Sequence, residues 1–110
     1  MKGQELIKRY TGGQRSFFKA ELREAELSGA DLSRTDLGRA NLRGVNLSGA
    51  DLSGAILSGA DLRGANLSGA DLSGANLSGA DLNGAIVTSE QLSQAWSLEG
   101  ATMPNGTKHD

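Results

Sequence analysis

The sequence predicts an all-β solenoid of about four coils with a short helical cap at each end. Three observations predict it: leucines recur on a strict five-residue step, the corner between them is nearly always glycine, and segments twenty residues apart are almost identical.

The five-residue step is clearest in ANLSGADLSGANLSGADLNGA, residues 65–85, where Leu67, Leu72, Leu77 and Leu82 mark the period. On an α-helix, residues five apart are rotated by about 140°, so these leucines would scatter over every face. On a flat strand, side chains alternate, and an odd step would send successive leucines to opposite sides. A chain that makes a short extended piece and turns a corner within each five residues points every leucine toward one axis.

Thirteen leucines hold that register without a break: Leu22, Leu27, Leu32, Leu37, Leu42, Leu47, Leu52, Leu57, Leu62, Leu67, Leu72, Leu77 and Leu82. Phe17 precedes them and Val87 follows on the same step, and all fifteen are expected in the core. Two residues before each centre lies a column, Ala20 to Ala85, that is alanine except for Thr35 and Val45; on an extended piece it shares the inward face and floors the core with small side chains. The residues flanking each leucine point outward. Glycine at the last position suits a corner needing positive φ, as in a type II turn. Among the leucine-centred repeats the exceptions are Glu24, Arg34 and Arg39, where a different turn is expected.

Residues 40–59, ANLRGVNLSGADLSGAILSG, match residues 60–79, ADLRGANLSGADLSGANLSG, at 17 of 20 positions, so four repeats make one coil. Residues 15–87 then form a little under four coils, a column roughly 17 to 18 Å tall at the spacing of strand pairing. A collagen-like chain is excluded because glycine does not recur every third residue.

The tandem A-D/N-L-S/R-G resembles the pentapeptide repeat family, and the resemblance covers about two thirds of the chain. It implies a right-handed quadrilateral β-helix, which is where the handedness and the square section come from. The flanks are similar to those of bacterial, especially cyanobacterial, members.

Both ends of a solenoid need covering. Residues 1–14 carry Leu6, Ile7 and Tyr10 at helical spacing and stop at Gly12 and Gly13, which predicts an N-terminal helical cap. Residues 88–110 are expected to form a C-terminal helical cap and tail: Thr88 with Gln91 matches a capping box, and Leu92, Ala95 and Trp96 give an apolar face. GATM, residues 100–103, imitates one more repeat out of register, and Pro104-Asn105-Gly106 reads as a turn before a charged tail.

For function, the sequence excludes more than it names. There is no cysteine, the only histidine is His109 near the terminus, where disorder is the expected state, and no phosphate-loop motif is present. Outward carboxylates such as Asp51 and Asp71 stack, and a hydrogen-bonded, solvated ladder accounts for them. No enzyme, cofactor or metal site is expected. The start lacks an apolar signal core and no segment approaches the run of about 20 apolar residues that spans a bilayer, so a cytoplasmic chain without membrane contact is expected.

What remains is a non-enzymatic scaffold or interaction module, with a protein partner, no direct nucleic acid binding, and a monomer or weak dimer. Some longer members of the family it resembles mimic B-DNA and act on gyrase, which makes such mimicry the alternative. DNA carries one negative charge per ~1.7 Å, about ten over such a column. Residues 20–87, with nine acids and five arginines, net −4. Candidate contact residues are the stacked Arg23, Arg43 and Arg63, for which interleaved salt bridges with Glu21, Asp61 and Asp81 are the simpler reading. Phe18 points outward or under the first helix; if bare, it marks the basic N-terminal end as a contact site. Trp96, beside Leu92 and Leu98, is expected to plug the end of the core, the alternative being a partner's anchor. A flat hydroxyl array, Ser33, Ser53, Ser73 and Ser93, lacks the methyls of an ice- or mineral-binding face.

Overall fold

The computed structural model describes all of residues 1–110. Parallel β-bridges link residues twenty apart in four columns, which define four walls. Wall 1 runs Ser16, Asp36, Ile56, Asn76; wall 2 runs Glu21, Asn41, Asp61, Asp81; wall 3 runs Glu26, Asn46, Asn66, Ile86; wall 4 runs Asp31, Asp51, Asp71. Each bridge is isolated, because a turn interrupts the extended backbone every five residues.

The same hydrogen bonds recur at every level. Asn41 N–H donates to the Ala20 carbonyl at 2.9 Å, and Leu22 N–H donates to the Asn41 carbonyl at 2.8 Å. Within a coil, Ala25 N–H donates to the Leu22 carbonyl at 2.9 Å and closes the corner. All thirteen leucines are buried, as is Phe17, and the alanine column beside them is buried from Ala40 to Ala85. Thr35 is the one buried polar side chain, and its hydroxyl donates to the Leu32 carbonyl within its own corner. Val87 departs from the expected core set: it is only half-buried, because a short helix begins at Ser89 and the next repeat does not close beneath it.

The aspartate and asparagine before each leucine have a local reason that periodicity alone did not reveal. Their side-chain oxygen accepts the N–H two residues on, from Ser33 to Asp31 at 3.1 Å, Ser53 to Asp51 at 2.9 Å and Ser68 to Asn66 at 3.0 Å. This is an Asx turn, and it fixes the approach to each corner.

The corners themselves correct one expectation. Glu24, Arg34 and Arg39 do not use a different turn: their φ values, 59°, 60° and 55°, are left-handed like those of the corner glycines, and Lys19 joins them at 62°. The i to i+3 bond is kept at these corners, for instance Ala40 N–H to the Leu37 carbonyl at 3.1 Å. The backbone geometry is set by the fold, and at these four corners side chains tolerate what glycine adopts freely.

Helix α1, Gly3–Thr11, lies against the first coil. Its Leu6 is fully buried in the same core as the leucines, while Ile7 faces solvent. Gly3 approaches the Glu26 carbonyl so closely that any Cβ there would collide with it. The Tyr10 hydroxyl donates to the Ser33 carbonyl at 2.9 Å, and Arg15 stacks on the Tyr10 ring at 3.7 Å.

At the other end α2, Ser89–Ser93, occupies the place of the next wall-4 repeat, with Leu92 buried on the column of Leu72. The ladder then resumes beyond residue 87: Asn76 bridges Ser97, and Asp81 bridges Thr102, at a step of 21 instead of 20. The extra residue is absorbed at Trp96 and Ser97. Trp96 N–H donates to the Ala75 carbonyl at 2.8 Å while Leu77 N–H donates to the Ser97 carbonyl at 2.9 Å, two bonds that elsewhere belong to a single residue. The tail is also ordered. Thr102 pairs with Lys108 in an antiparallel bridge, and His109 exchanges backbone bonds with Gly100 and Ala101 at 3.0 and 2.8 Å, so His109 is held where disorder was expected. The molecule measures 37 × 23 × 23 Å. No helix is long and apolar enough to cross a membrane.

Candidate interaction surface

The walls differ in what they present to solvent. Wall 4 is acidic, with Asp31, Asp51 and Asp71 one above another, each accepting the N–H of the following serine. Hydrogen bonding from Ser33, N–H first and then hydroxyl, holds the Asp31 carboxyl below the usual range, and Ser73, side chain first and then N–H, holds that of Asp71. The serine column expected here stops short, because Ser93 lies in α2 and its hydroxyl turns back to the Glu90 carbonyl at 2.6 Å.

Wall 2 carries the arginine column. Only Arg63 is paired, with Asp61 at 2.7 Å and Asp81 at 3.9 Å. The Arg63 side chain is the main cause that holds the Asp61 carboxyl below its ordinary range. Arg23 and Arg43 have no carboxylate within 4.0 Å, so the expected interleaving of salt bridges is confined to one coil. The reason lies in the neighbours: Asn41 replaces an acid in the second coil, and its amide donates to Glu21 at 3.1 Å.

Wall 1 carries three of the exposed large apolar side chains; of the others, Ile86 stands on wall 3, and Met1 and Ile7 belong to the N-terminal segment. Phe18 is 51% exposed in the first coil, Ile56 41% in the third, and Trp96 75% at the fifth level. With coils spaced by about 4.8 Å, they form a slanted stripe with gaps of roughly 10 Å between levels. Trp96 therefore does not plug the core, as was expected of it: the bulge at Trp96 and Ser97 turns its side chain outward, and Leu92, Leu98 and Met103 pack against the core instead. Phe18 lies over Gly38, where a Cβ would stand 3.0 Å from Phe18 Cδ1, so glycine on the level below makes room for the ring. Ile56 was not singled out from the sequence, although the signal was present: it is isoleucine in a column otherwise polar on this wall.

The corners bordering wall 1 are basic. Arg34 stands at the corner leading into it, and Lys19 and Arg39 stand one above the other at the corner leading out. Lys19 Nζ is 5.6 Å from the Phe18 ring centroid. The acid of the same wall, Asp36, is half-buried and committed to the Gly38 N–H at 2.9 Å. Around Phe18 the first two coils thus present apolar area framed by cations.

Three shallow hollows of about 340 to 400 Å³ lie at the two ends. No three acidic or histidine side chains converge closely enough to hold a metal ion.

Comparison with known proteins agrees with this architecture. The pentapeptide repeat model matches residues 20–59 and 55–88, with eight copies. Among solved structures, HetL from the cyanobacterium Nostoc sp. strain PCC 7120, described as a pentapeptide repeat protein involved in heterocyst differentiation regulation, is 41% identical with a TM-score of 0.61. That alignment covers 86% of this chain and 36% of HetL, so this chain spans about a third of its length. A second Nostoc PCC 7120 pentapeptide repeat protein, alr5209, is 41% identical over 93% of this chain and 75% of its own, with a TM-score of 0.41. Rfr23 from Cyanothece 51142 is 36% identical over 86% of this chain and 64% of its own, with a TM-score of 0.47. A comparison with curated proteins found no match. With leucines buried at every fifth residue, bridges at every twentieth and a family match over most of the chain, this protein belongs to the pentapeptide repeat family.

Proposed function

We propose that the protein is a non-enzymatic interaction module whose contact surface is wall 1, and that its partner is a protein. The body is read as the right-handed quadrilateral β-helix that family membership implies, spanning 15–87, with residues 1–14 and 88–110 as its covers. The observation that carries the reading is the placement of three exposed apolar side chains, Phe18, Ile56 and Trp96, on one wall, whereas wall 3 exposes one, Ile86, and walls 2 and 4 none. Aromatic side chains exposed on a rigid wall are what partner surfaces engage most strongly. Arg23 and Arg43, unpaired on wall 2 just past the Lys19 and Arg39 corner, lie at the margin of this surface, whereas Arg63 is engaged by its own acids. A monomer or weak dimer presents the wall freely.

The test is affinity capture from the host cell's own lysate, comparing the native protein with a Phe18→Ala, Trp96→Ala double variant. Proteins retained by the native form and lost from the variant support the reading. An unchanged set overturns it.

A second reading, a DNA-shaped decoy for a nucleic-acid enzyme such as gyrase, draws on the stacked acidic column of Asp31, Asp51 and Asp71. Its charge density is low: one carboxylate per coil is one per about 4.8 Å, against one per ~1.7 Å in DNA. Inhibition of gyrase supercoiling by the native protein, lost when these three aspartates become asparagine, would favour it.

A further inference from the structure

We infer that Lys19, Arg34 and Arg39, together with Phe18, form a recognition surface for an acidic polypeptide segment carrying an apolar anchor. The inference rests on the reading of wall 1 as the contact surface and names the chemistry of what it takes.

Strain is the first ground. Eleven corners use glycine at φ between 67° and 75°, and the same backbone is imposed on Lys19, Arg34 and Arg39 at 62°, 60° and 55°. A side chain in that region costs stability relative to glycine, and such outliers persist where something other than stability is served. All three stand at corners of wall 1: Lys19 lies beside the Phe18 ring, and the Arg34 and Arg39 stems lie over Gly54 and Gly59 of the next coil.

The second ground is electrostatic. Lys19 stacks directly over Arg39, one coil apart, and neither these two nor Arg34 has a carboxylate within 4.0 Å. Like charges placed opposite one another in a ladder are unfavourable. Such crowding is resolved where Arg63 is bracketed by Asp61 and Asp81 and where Asn41 donates to Glu21, whereas Arg23 and Arg43, stacked on wall 2, share it. Glu24, the fourth strained corner, carries the opposite charge and lies away from wall 1, at a hollow it shares with Lys2, Arg23 and Glu26. The cations around Phe18 have none of these remedies, so an incoming anion relieves repulsion as well as adding attraction.

The third ground selects the class of partner. The basic zone spans two coils, about 10 Å along the axis, and the adjacent wall 4 carries Asp31 and Asp51 on the same levels. A nucleic-acid backbone runs on past so small a zone and meets those carboxylates. A short acidic peptide ends within it, and an apolar side chain of that peptide covers the exposed Phe18 ring and continues toward Ile56.

The experiment uses the full chain and a fluorescein-labelled peptide of four residues, Glu-Phe-Leu-Glu, short enough to end close to the basic zone, read by fluorescence anisotropy at 50 mM salt. A single-stranded DNA of equal charge and an anionic phospholipid vesicle are run alongside. The expected result is saturable peptide binding that exceeds binding of either alternative, and that weakens about tenfold or more in a Lys19→Gly, Arg39→Gly variant. The same variant is expected to melt about 4 °C or more higher, because two strained corners are relieved, so loss of binding cannot come from unfolding. Ser68→Ala, on wall 3, serves as the control that leaves binding unchanged. Absence of peptide binding, equal or tighter binding of the DNA or vesicle, or undiminished binding by the glycine variant would each overturn the inference. If the glycine variant binds normally but Phe18→Ala does not, the charge recognition fails and wall 1 stands as a contact surface. If Phe18→Ala also binds normally, both fail.

Discussion

Gln91 takes the place of a backbone donor above Ala70. In the preceding coils each such carbonyl accepts an N–H from 21 residues on, as Ala50 does from Asp71 at 2.9 Å. Where α2 begins, the N–H of Gln91 is committed to the Thr88 hydroxyl at 3.1 Å, and its side-chain Nε2 reaches the Ala70 carbonyl at 2.9 Å and the Leu67 carbonyl at 2.7 Å. Its Oε1 meanwhile accepts from Thr88 N–H at 2.9 Å, replacing the Asx acceptor that Ile86 cannot supply. One side chain thus ends the wall and starts the helix. Gln91→Ala is expected to cost about 1 to 3 kcal/mol. Gln91→Glu should cost more, since it keeps the acceptor but faces two carbonyls with a carboxylate. Chemical denaturation of the three proteins checks the order, and equal stability of all three would reject this role.

The inward and outward assignment of the repeats has a sharp consequence at Leu52, which is fully buried. Leu52→Asp buries an unpaired charge and is expected to cost at least about 4 kcal/mol. Ala50→Leu overfills the alanine floor and should cost about 1 to 3 kcal/mol. Arg43→Ala, on an exposed and unpaired side chain, should stay within about 0.5 kcal/mol. Thermal melts rank the three directly.

Acid sensitivity follows from the Asx turns. The carboxyls of Glu26, Asp31, Asp61 and Asp71 are held below their ordinary values, by Ser28, Ser33, the Arg63 side chain and Ser73 respectively. A carboxyl depressed in the folded state contributes stability that is fully present above its unfolded value, about 4, and is lost as pH falls through the folded one. The melting temperature is therefore expected to be flat between pH 7 and 5 and to decline below about 4. Asp71→Asn keeps the acceptor oxygen and removes the titration, so its decline should be shallower than that of the native protein. An identical decline would place the acid sensitivity elsewhere.

Removing residues 88–110 takes away α2, the displaced repeats and the antiparallel edge pairing at Thr102 and Lys108. The last coil is then left with unpaired amides and bare leucine ends, a template for another copy. Concentration-dependent oligomers are expected by light scattering on a size-exclusion column, with a lowered melting temperature. A truncated chain that stays monomeric and melts unchanged would deny this segment a covering role.

The repeat body was legible because its signal is periodic: one leucine in five and one coil in twenty specify every buried centre from Leu22 to Leu82. The capping box at Thr88 and Gln91 was equally local. What escaped reading was set by stacking. Glu24, Arg34 and Arg39 look like departures from the corner rule until the coil beneath is seen to impose the same φ on them. The orientation of Trp96 depends on where one extra residue is absorbed, and composition around it, rich in leucine and alanine, points the wrong way. Ile56 was visible as an oddity but gained meaning only when the bridges placed it between Phe18 and Trp96 on one wall.

The step from 20 to 21 residues at Trp96 and Ser97 acts as a phase slip in a one-dimensional crystal. Every earlier coil offers the next an identical lattice plane, and nothing in such a lattice says where to stop. The slip is confined to the sequence: Leu77 N–H still meets the Ser97 carbonyl at 2.9 Å and Leu82 N–H the Thr102 carbonyl at 2.8 Å, so the plane beyond it keeps the register of the one before. Growth is closed by the tail instead: Lys108 pairs back onto Thr102, and His109 takes the Gly100 N–H and the Ala101 carbonyl that a further coil would use.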